Sequence, residues 1–154
     1  MKHTKAEIAL KLHESGYSCA QSVLGAFASD FGLEQDTAFR IASCFGGGMR
    51  MGATCGALTG ALMVLGLARC ILPCDAYAKE LIETECKAFI SLWRNEMGQT
   101  DCREILGIDV CNPQQRQAAR DSGLFAKLCP SCIETAVELL ETTLRHSRPR
   151  SGIQ

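Results

Sequence analysis

The sequence predicts an all-α fold, a compact multi-helix bundle with a central glycine-rich helix. Apolar residues recur at the three- and four-residue spacing of helices, and no segment keeps the two-residue alternation of a strand. Residues that cap helices stand ahead of most of these apolar stretches. Aromatic residues make up only 6% of the chain. Alanine, leucine, glycine and cysteine must therefore fill the core, which favours closely packed helices.

The first three helices are predicted from their caps. Two capping boxes, in which Ser or Thr pairs with Glu or Gln three residues later, join Thr4 to Glu7 and Ser18 to Gln21. The helices behind these boxes should cover residues 5–15 and about 18–32. A third, shorter helix over residues 37–43 should begin at Asp36 and place Phe39 and Ile41 in the core.

The fourth helix, over about residues 55–69, follows the glycine-rich segment 45–52. Gly52, Gly56 and Gly60 recur every four residues, and this smooth face permits a close approach of another helix. This is the helix that we expect at the centre of the bundle. The three successive glycines, Gly46, Gly47 and Gly48, predict either a tight loop between helices or a loop beside a ligand, with backbone N–H groups aimed at sulfur or an anion.

The C-terminal half predicts four more helices. A long one should run from Asp75 to residue 97, and a short one should cover residues 102–106. Asn112 and Pro113 resemble the cap and first position of another short helix. The last helix should start at Pro130. We expect one helical domain over residues 1–146 and a flexible basic tail over residues 147–154.

Composition excludes several classes of partner. The formal net charge is −1, which gives no reason to expect binding to nucleic acid or to an anionic membrane surface. The most apolar stretch, residues 53–68, is shorter than the roughly 20 residues of a membrane helix. The N-terminus has no continuous apolar signal segment, so we expect a cytoplasmic protein whose 10 cysteines stay reduced.

Four cysteines in separate segments lie at or next to residues that cap helices: Cys19, Cys55, Cys102 and Cys129. A helix N-terminus stabilises an anion and lowers the pKa of a thiol there. We therefore expect these four thiolates to be brought together for redox chemistry or for holding a metal. In metal-free redox chemistry Cys132, which forms a C-P-x-C motif with Cys129, would be the resolving thiol.

The remaining cysteines carry weaker expectations. Cys44 and Cys86 are expected to be small buried hydrophobic residues. Cys70 and Cys74 form either a second dithiol or a metal-binding pair, or neither, and Cys111 is a spare thiol near Cys102. No histidine neighbours a cysteine motif, so a Cys₄ site is easier to build than a mixed Cys/His site.

These segments together resemble the C_GCAxxG_C_C family of redox-active proteins. The resemblance runs from GYSCAQSV through FGGGMRMGATCGALTGA and CREILG to the cysteine before the last helix. Thr54 stands in place of the first glycine of GCAxxG, and Gly56 precedes the alanine. The resemblance implies an all-helical redox-active protein, with Cys19, Cys55, Cys102 and Cys129 as its signature cysteines. A similar domain in split-Soret cytochromes implies an iron–sulfur centre.

The favoured function is intracellular redox work at one site built from these four cysteines, which would bind an iron–sulfur cluster for electron transfer. Three alternatives stay open: a metal-free thiol–disulfide protein, a structural Cys₄ zinc protein, and a helical interaction module with inert thiols. The cofactor is accordingly an iron–sulfur cluster, zinc or none. The redox partner is unknown, and a homodimer stays open.

Overall fold

The computed structural model describes residues 3–146, and within them the chain forms eight α-helices and no β-strand. The all-α prediction is therefore confirmed. The predicted basic tail, residues 147–154, lies outside the described residues. The helices are α1 (Lys5–Glu14), α2 (Cys19–Phe27), α3 (Gln35–Ala42), α4 (Gly56–Arg69), α5 (Ala76–Met97), α6 (Cys102–Leu106), α7 (Pro113–Asp121) and α8 (Leu124–His146).

Most helices begin where the capping residues predict. Both capping boxes form, with Thr4 starting α1 and Ser18 starting α2. Asp75 accepts a hydrogen bond from the backbone N–H of Ala78 at 2.9 Å and starts α5. Asn112 caps α7, with proline in its first turn. These local polar contacts satisfy N–H groups that a helix N-terminus leaves without a partner.

Two predictions about α3 are wrong. Glu34, not Asp36, caps this helix, because its carboxylate accepts hydrogen bonds from both the backbone N–H and the hydroxyl of Thr37, at 3.0 and 3.1 Å. The helix therefore begins at Gln35. Ile41, which was expected in the core, is 51% exposed, because α3 buries the face that carries Ala38 and Ala42.

The start of the last helix was also predicted wrongly. Proline is favoured at the first position of a helix because it has no N–H to satisfy, but Pro130 lies inside α8. The helix starts after Gly123, which has a φ of 73°, and the N–H of Lys127 donates to the Gly123 carbonyl at 3.0 Å. An internal proline costs about 3 kcal/mol, which the burial of the apolar face of α8 offsets.

The core is formed where α2, α4 and α8 pack against one another. Helix α1 contacts α2 and α8, and α5 contacts α4 and α8. The largest fully buried side chains are Trp93, Phe89, Leu24, Leu58, Leu65, Ile133, Leu140, Val23, Val64, Val137 and Ser22. Among residues 3–146, no helix combines the length and the hydropathy that a membrane crossing needs.

Small residues set the distance between α2 and α4. A Cβ atom built on Gly60 would lie 2.8 Å from the carbonyl oxygen of Ala20, and one on Gly56 would lie 3.1 Å from the Ala20 nitrogen. Both contacts are with backbone, which cannot move aside as a side chain can. Glycine at these positions is therefore required by space. That α4 is the centre of the bundle stays a prediction.

Replacing Gly60 by alanine tests this contact. Alanine favours a helix over glycine by about 0.5–1 kcal/mol, yet we expect Gly60→Ala to lower the free energy of unfolding by about 1–3 kcal/mol through overpacking. Gly66→Ala is the matched control, since it lies on the same helix and its added Cβ would meet nothing within 4 Å. The control should be neutral or stabilising. Urea unfolding curves that show the same change in both variants would contradict the close contact.

Candidate functional site

The structure places five cysteines around one cavity of about 160 Å³. They are Cys19, Cys55, Cys102, Cys129 and Cys132. The rest of the wall is largely apolar and includes Ile105, Leu106 and Phe125. The five thiols belong to four helices, α2, α4, α6 and α8. The tertiary fold, not the local sequence, therefore brings them together.

Cys19 is held by the first turn of α2. The Ser18 hydroxyl accepts a hydrogen bond from the N–H of Gln21 at 3.3 Å, and the Gln21 side chain accepts one from the N–H of Ser18 at 3.0 Å. The same Gln21 side chain donates to the Phe39 carbonyl at 3.0 Å. Because Gln21 of the capping box is also bound to α3, both the capping box and the contact with α3 fix the position of Cys19.

Cys55 and Cys102 are joined by the backbone. Thr54 and Asp101 form an isolated antiparallel bridge. The N–H of Cys55 donates to the Thr100 carbonyl at 2.8 Å, and the N–H of Cys102 donates to the Ala53 carbonyl at 2.6 Å. Cys55 is then the N-cap of α4, and Cys102 is the first residue of α6. Two residues that are distant in sequence therefore start neighbouring helices side by side.

Cys129 and Cys132 both lie within α8, one turn apart. The expectation that Cys129 opens a helix is therefore wrong, for the reason given above for Pro130. Cys132 is buried, and its thiol donates to the Leu128 carbonyl at 3.6 Å. Both cysteines reach the cavity because α8 packs against α2, α4 and α6.

The thiols interact in two pairs. A hydrogen bond from the Cys19 thiol raises its own pKa and lowers the pKa of Cys129. A second bond, from Cys132, lowers the pKa of Cys55, and the backbone N–H groups of Ala57 and Leu58 at the start of α4 lower it further. The same bond, followed by burial, raises the pKa of Cys132.

The expectation of four low pKa values is therefore wrong for two of the thiols. The hydrogen bond to Cys129 and the loss of water around the half-buried Cys19 thiol both raise its pKa. Burial, followed by the charges of Cys55 and Cys129, raises the pKa of Cys102 to about 12. A helix N-terminus favours a thiolate, but loss of water and a neighbouring thiolate of like charge outweigh it here.

The chain matches the model of one protein family, described as "Putative redox-active protein (C_GCAxxG_C_C)", over residues 17–143. It belongs to the C_GCAxxG_C_C family. No curated protein and no solved structure matches the chain. The four cysteines that carry the C_GCAxxG_C_C resemblance all line the cavity, and Cys132 lines it as well. Their roles as redox thiols or metal ligands stay predictions.

His13 is a site residue that the sequence argument missed. Its ligand nitrogen and the sulfur atoms of Cys19 and Cys129 all lie within 4.8 Å of one another, the only such group of three found in residues 3–146. The His13 Nδ1 lies 3.1 Å from the Tyr17 carbonyl. A carbonyl oxygen only accepts, so Nδ1 carries the proton and Nε2 is the nitrogen available to a metal. The sequence of this C_GCAxxG_C_C protein gave only a weak indication that His13 belongs to the site, because His13 lies in α1 and in no cysteine motif.

The glycine loop contributes differently at each position. Gly47 lines the cavity. A Cβ on Gly46 would lie 2.7 Å from the Cβ of Ser18, so this glycine lets the loop pack on the cap that holds Cys19. Gly48 packs on the backbone of Ala53, and the Ala53 carbonyl accepts the hydrogen bond from the N–H of Cys102. It stays a prediction that the backbone N–H groups of this loop bind a cofactor.

The other cysteines lie away from the cavity. Cys44, Cys70, Cys74 and Cys111 are exposed, and Cys86 is half-buried on α5. The expectation that Cys44 is a buried hydrophobic residue is therefore wrong. Cys44 lies in a short turn after α3 and faces solvent. The Ser43 hydroxyl, 4.0 Å from the Cys44 sulfur, is its hydrogen-bond donor.

Two alanine substitutions in the loop separate backbone strain from steric contact. Gly47 and Gly48 both have a φ of 61°, which costs an alanine about 1–2 kcal/mol. A Cβ on Gly47 would meet nothing within 4 Å, whereas one on Gly48 would lie 2.6 Å from the Ala53 nitrogen and against its carbonyl oxygen. We expect Gly48→Ala to cost about 1–3 kcal/mol more than Gly47→Ala. Equal costs in chemical unfolding would mean that the loop does not hold the Ala53 backbone.

Proposed function

We propose that this chain is a redox protein that holds an iron–sulfur cluster between its cavity cysteines and transfers electrons through it. The observation that carries the proposal is the convergence of five thiols on one small, largely apolar cavity. Cysteine thiolates are the usual ligands of iron–sulfur clusters, normally four for each cluster. The donor set therefore fits such a cluster, which would supply one-electron redox chemistry when bound.

Different residues of the chain would bind the cluster, stabilise a ligand thiolate and limit the access of water. Cys19, Cys55, Cys102 and Cys129 are the proposed ligands, and they start from four separate segments held by the contacts described above. The N–H groups of Ala57 and Leu58 at the start of α4 lower the pKa of Cys55 and so favour its thiolate. Ile105, Leu106 and Phe125 limit the access of water, which matters because burial and hydrogen bonds to sulfur set the reduction potential of such centres.

His13 supports a metal at the same place. With Cys19 and Cys129 it forms a group whose ligand atoms are close enough together to share one ion. A histidine replaces cysteine on one iron of some clusters. His13 is thus an alternative ligand to one of the four cysteines on the α1 side of the cavity. Ligation by His13 in place of a cysteine would change the reduction potential of the site.

A metal-free dithiol function is the second candidate. It is favoured by the two hydrogen-bonded thiol pairs, Cys19 with Cys129 and Cys55 with Cys132. In this chemistry a thiol pair loses two electrons and two protons as its disulfide forms, and a disulfide substrate is reduced to two thiols. Cys132 would resolve the mixed disulfide on Cys55, not one on Cys129 as the C-P-x-C spacing had suggested.

Anaerobic reconstitution with ferrous iron and sulfide decides between the two. We expect visible charge-transfer absorption with stoichiometric iron and sulfide, lost in Cys55→Ser and retained in Cys44→Ser, whose exposed thiol lies outside the cavity. A circular dichroism spectrum of each variant checks that it is folded. A wild-type protein that stays colourless and metal-free, and whose mapped oxidation products are Cys19–Cys129 and Cys55–Cys132 disulfides, would overturn the cluster and support the dithiol. Bound zinc without colour would overturn both.

A further inference from the structure

A basic cleft adjoins the thiol cavity. It measures about 360 Å³ and shares His13, Gly47 and Phe125 with the cavity wall. Three arginines, Arg50, Arg116 and Arg120, also line the cleft. The formal net charge of the whole chain is −1, so the clustering of three cations here does not follow from composition.

The three arginines have no carboxylate partner at salt-bridge distance among the residues that the structure describes. None of the salt bridges found within residues 3–146 involves Arg50, Arg116 or Arg120. Arg116 and Arg120 lie four residues apart on α7, a spacing at which like charges destabilise a helix. Arg50 adds to this cost, because its backbone has a φ of 60°, which is unfavourable for a residue with a side chain.

One contact fixes Arg50 in the cleft. Its guanidinium donates to the Ser43 carbonyl at 2.9 Å, which leaves further N–H groups of its five free to bind an oxygen ligand. Guanidinium groups bind carboxylate and phosphate oxygens through paired hydrogen bonds. The chemistry of the cleft therefore selects an oxyanion.

We propose that this arginine cleft binds the oxyanion group of a small molecule, a phosphate or carboxylate, at the entrance of the thiol cavity. An anion there would place the remainder of the molecule against His13 and Phe125, which border both spaces. That this molecule is the redox substrate or effector rests on the proposed function, but the anion site itself does not.

Titration calorimetry with orthophosphate, at constant ionic strength in chloride buffer, tests the site on the protein as purified. We expect wild type to bind phosphate and each of Arg116→Gln and Arg120→Gln to weaken binding about tenfold, or about 1.4 kcal/mol. Arg94→Gln is the control, since Arg94 is exposed on α5 and does not line the cleft. Absent binding in wild type, or equal affinities in all variants, would overturn the site. Neither result depends on whether a cluster is bound.

Discussion

The close contact of α2 with α4 is the constraint on which the site depends. Cys19 is the first residue of α2 and Cys55 is the cap of α4, so the distance between these helices also sets the distance between the two thiols. A Cβ on Gly56 would lie only 3.4 Å from the Cβ of Cys19. The glycine that permits helix packing is thus the residue next to one site cysteine and in contact with the other. Structural and functional requirements on α4 cannot be separated at this position.

The thiols of the cavity do not behave as independent helix-terminal anions. Five of them share one largely apolar space, where each new negative charge is opposed by its neighbours and by the loss of water. Hydrogen bonds within two pairs lower the pKa of Cys55 and Cys129 and raise the pKa of Cys132 and Cys19, while burial raises the pKa of Cys102. A bound cation would remove the cause of these differences, because it attracts every thiolate in the group. The arginine cleft beside His13 adds positive charge from the solvent side.

Local chemistry explains which features the sequence predicted. Capping boxes at Thr4 and Ser18 depend on neighbours three residues away, so the starts of α1 and α2 were predictable. The start of α8 was not, because packing of its apolar face outweighs the cost of Pro130 inside the helix. His13 was missed for a related reason: it meets Cys19 and Cys129 through the turn at Gly16 and the packing of α1 on α8, and no spacing rule describes such a contact.

Cys132 sets this chain apart from a site of four signature cysteines alone. It lies one turn beyond Cys129 on α8, and its single thiol proton has two acceptors within reach, the Leu128 carbonyl and the Cys55 sulfur. A thiol that donates to a liganding sulfur draws electron density from it, and such hydrogen bonds raise the reduction potential of a sulfur-ligated centre. In the proposed cluster site, the fifth cysteine would therefore act through Cys55, which the α4 backbone holds in place.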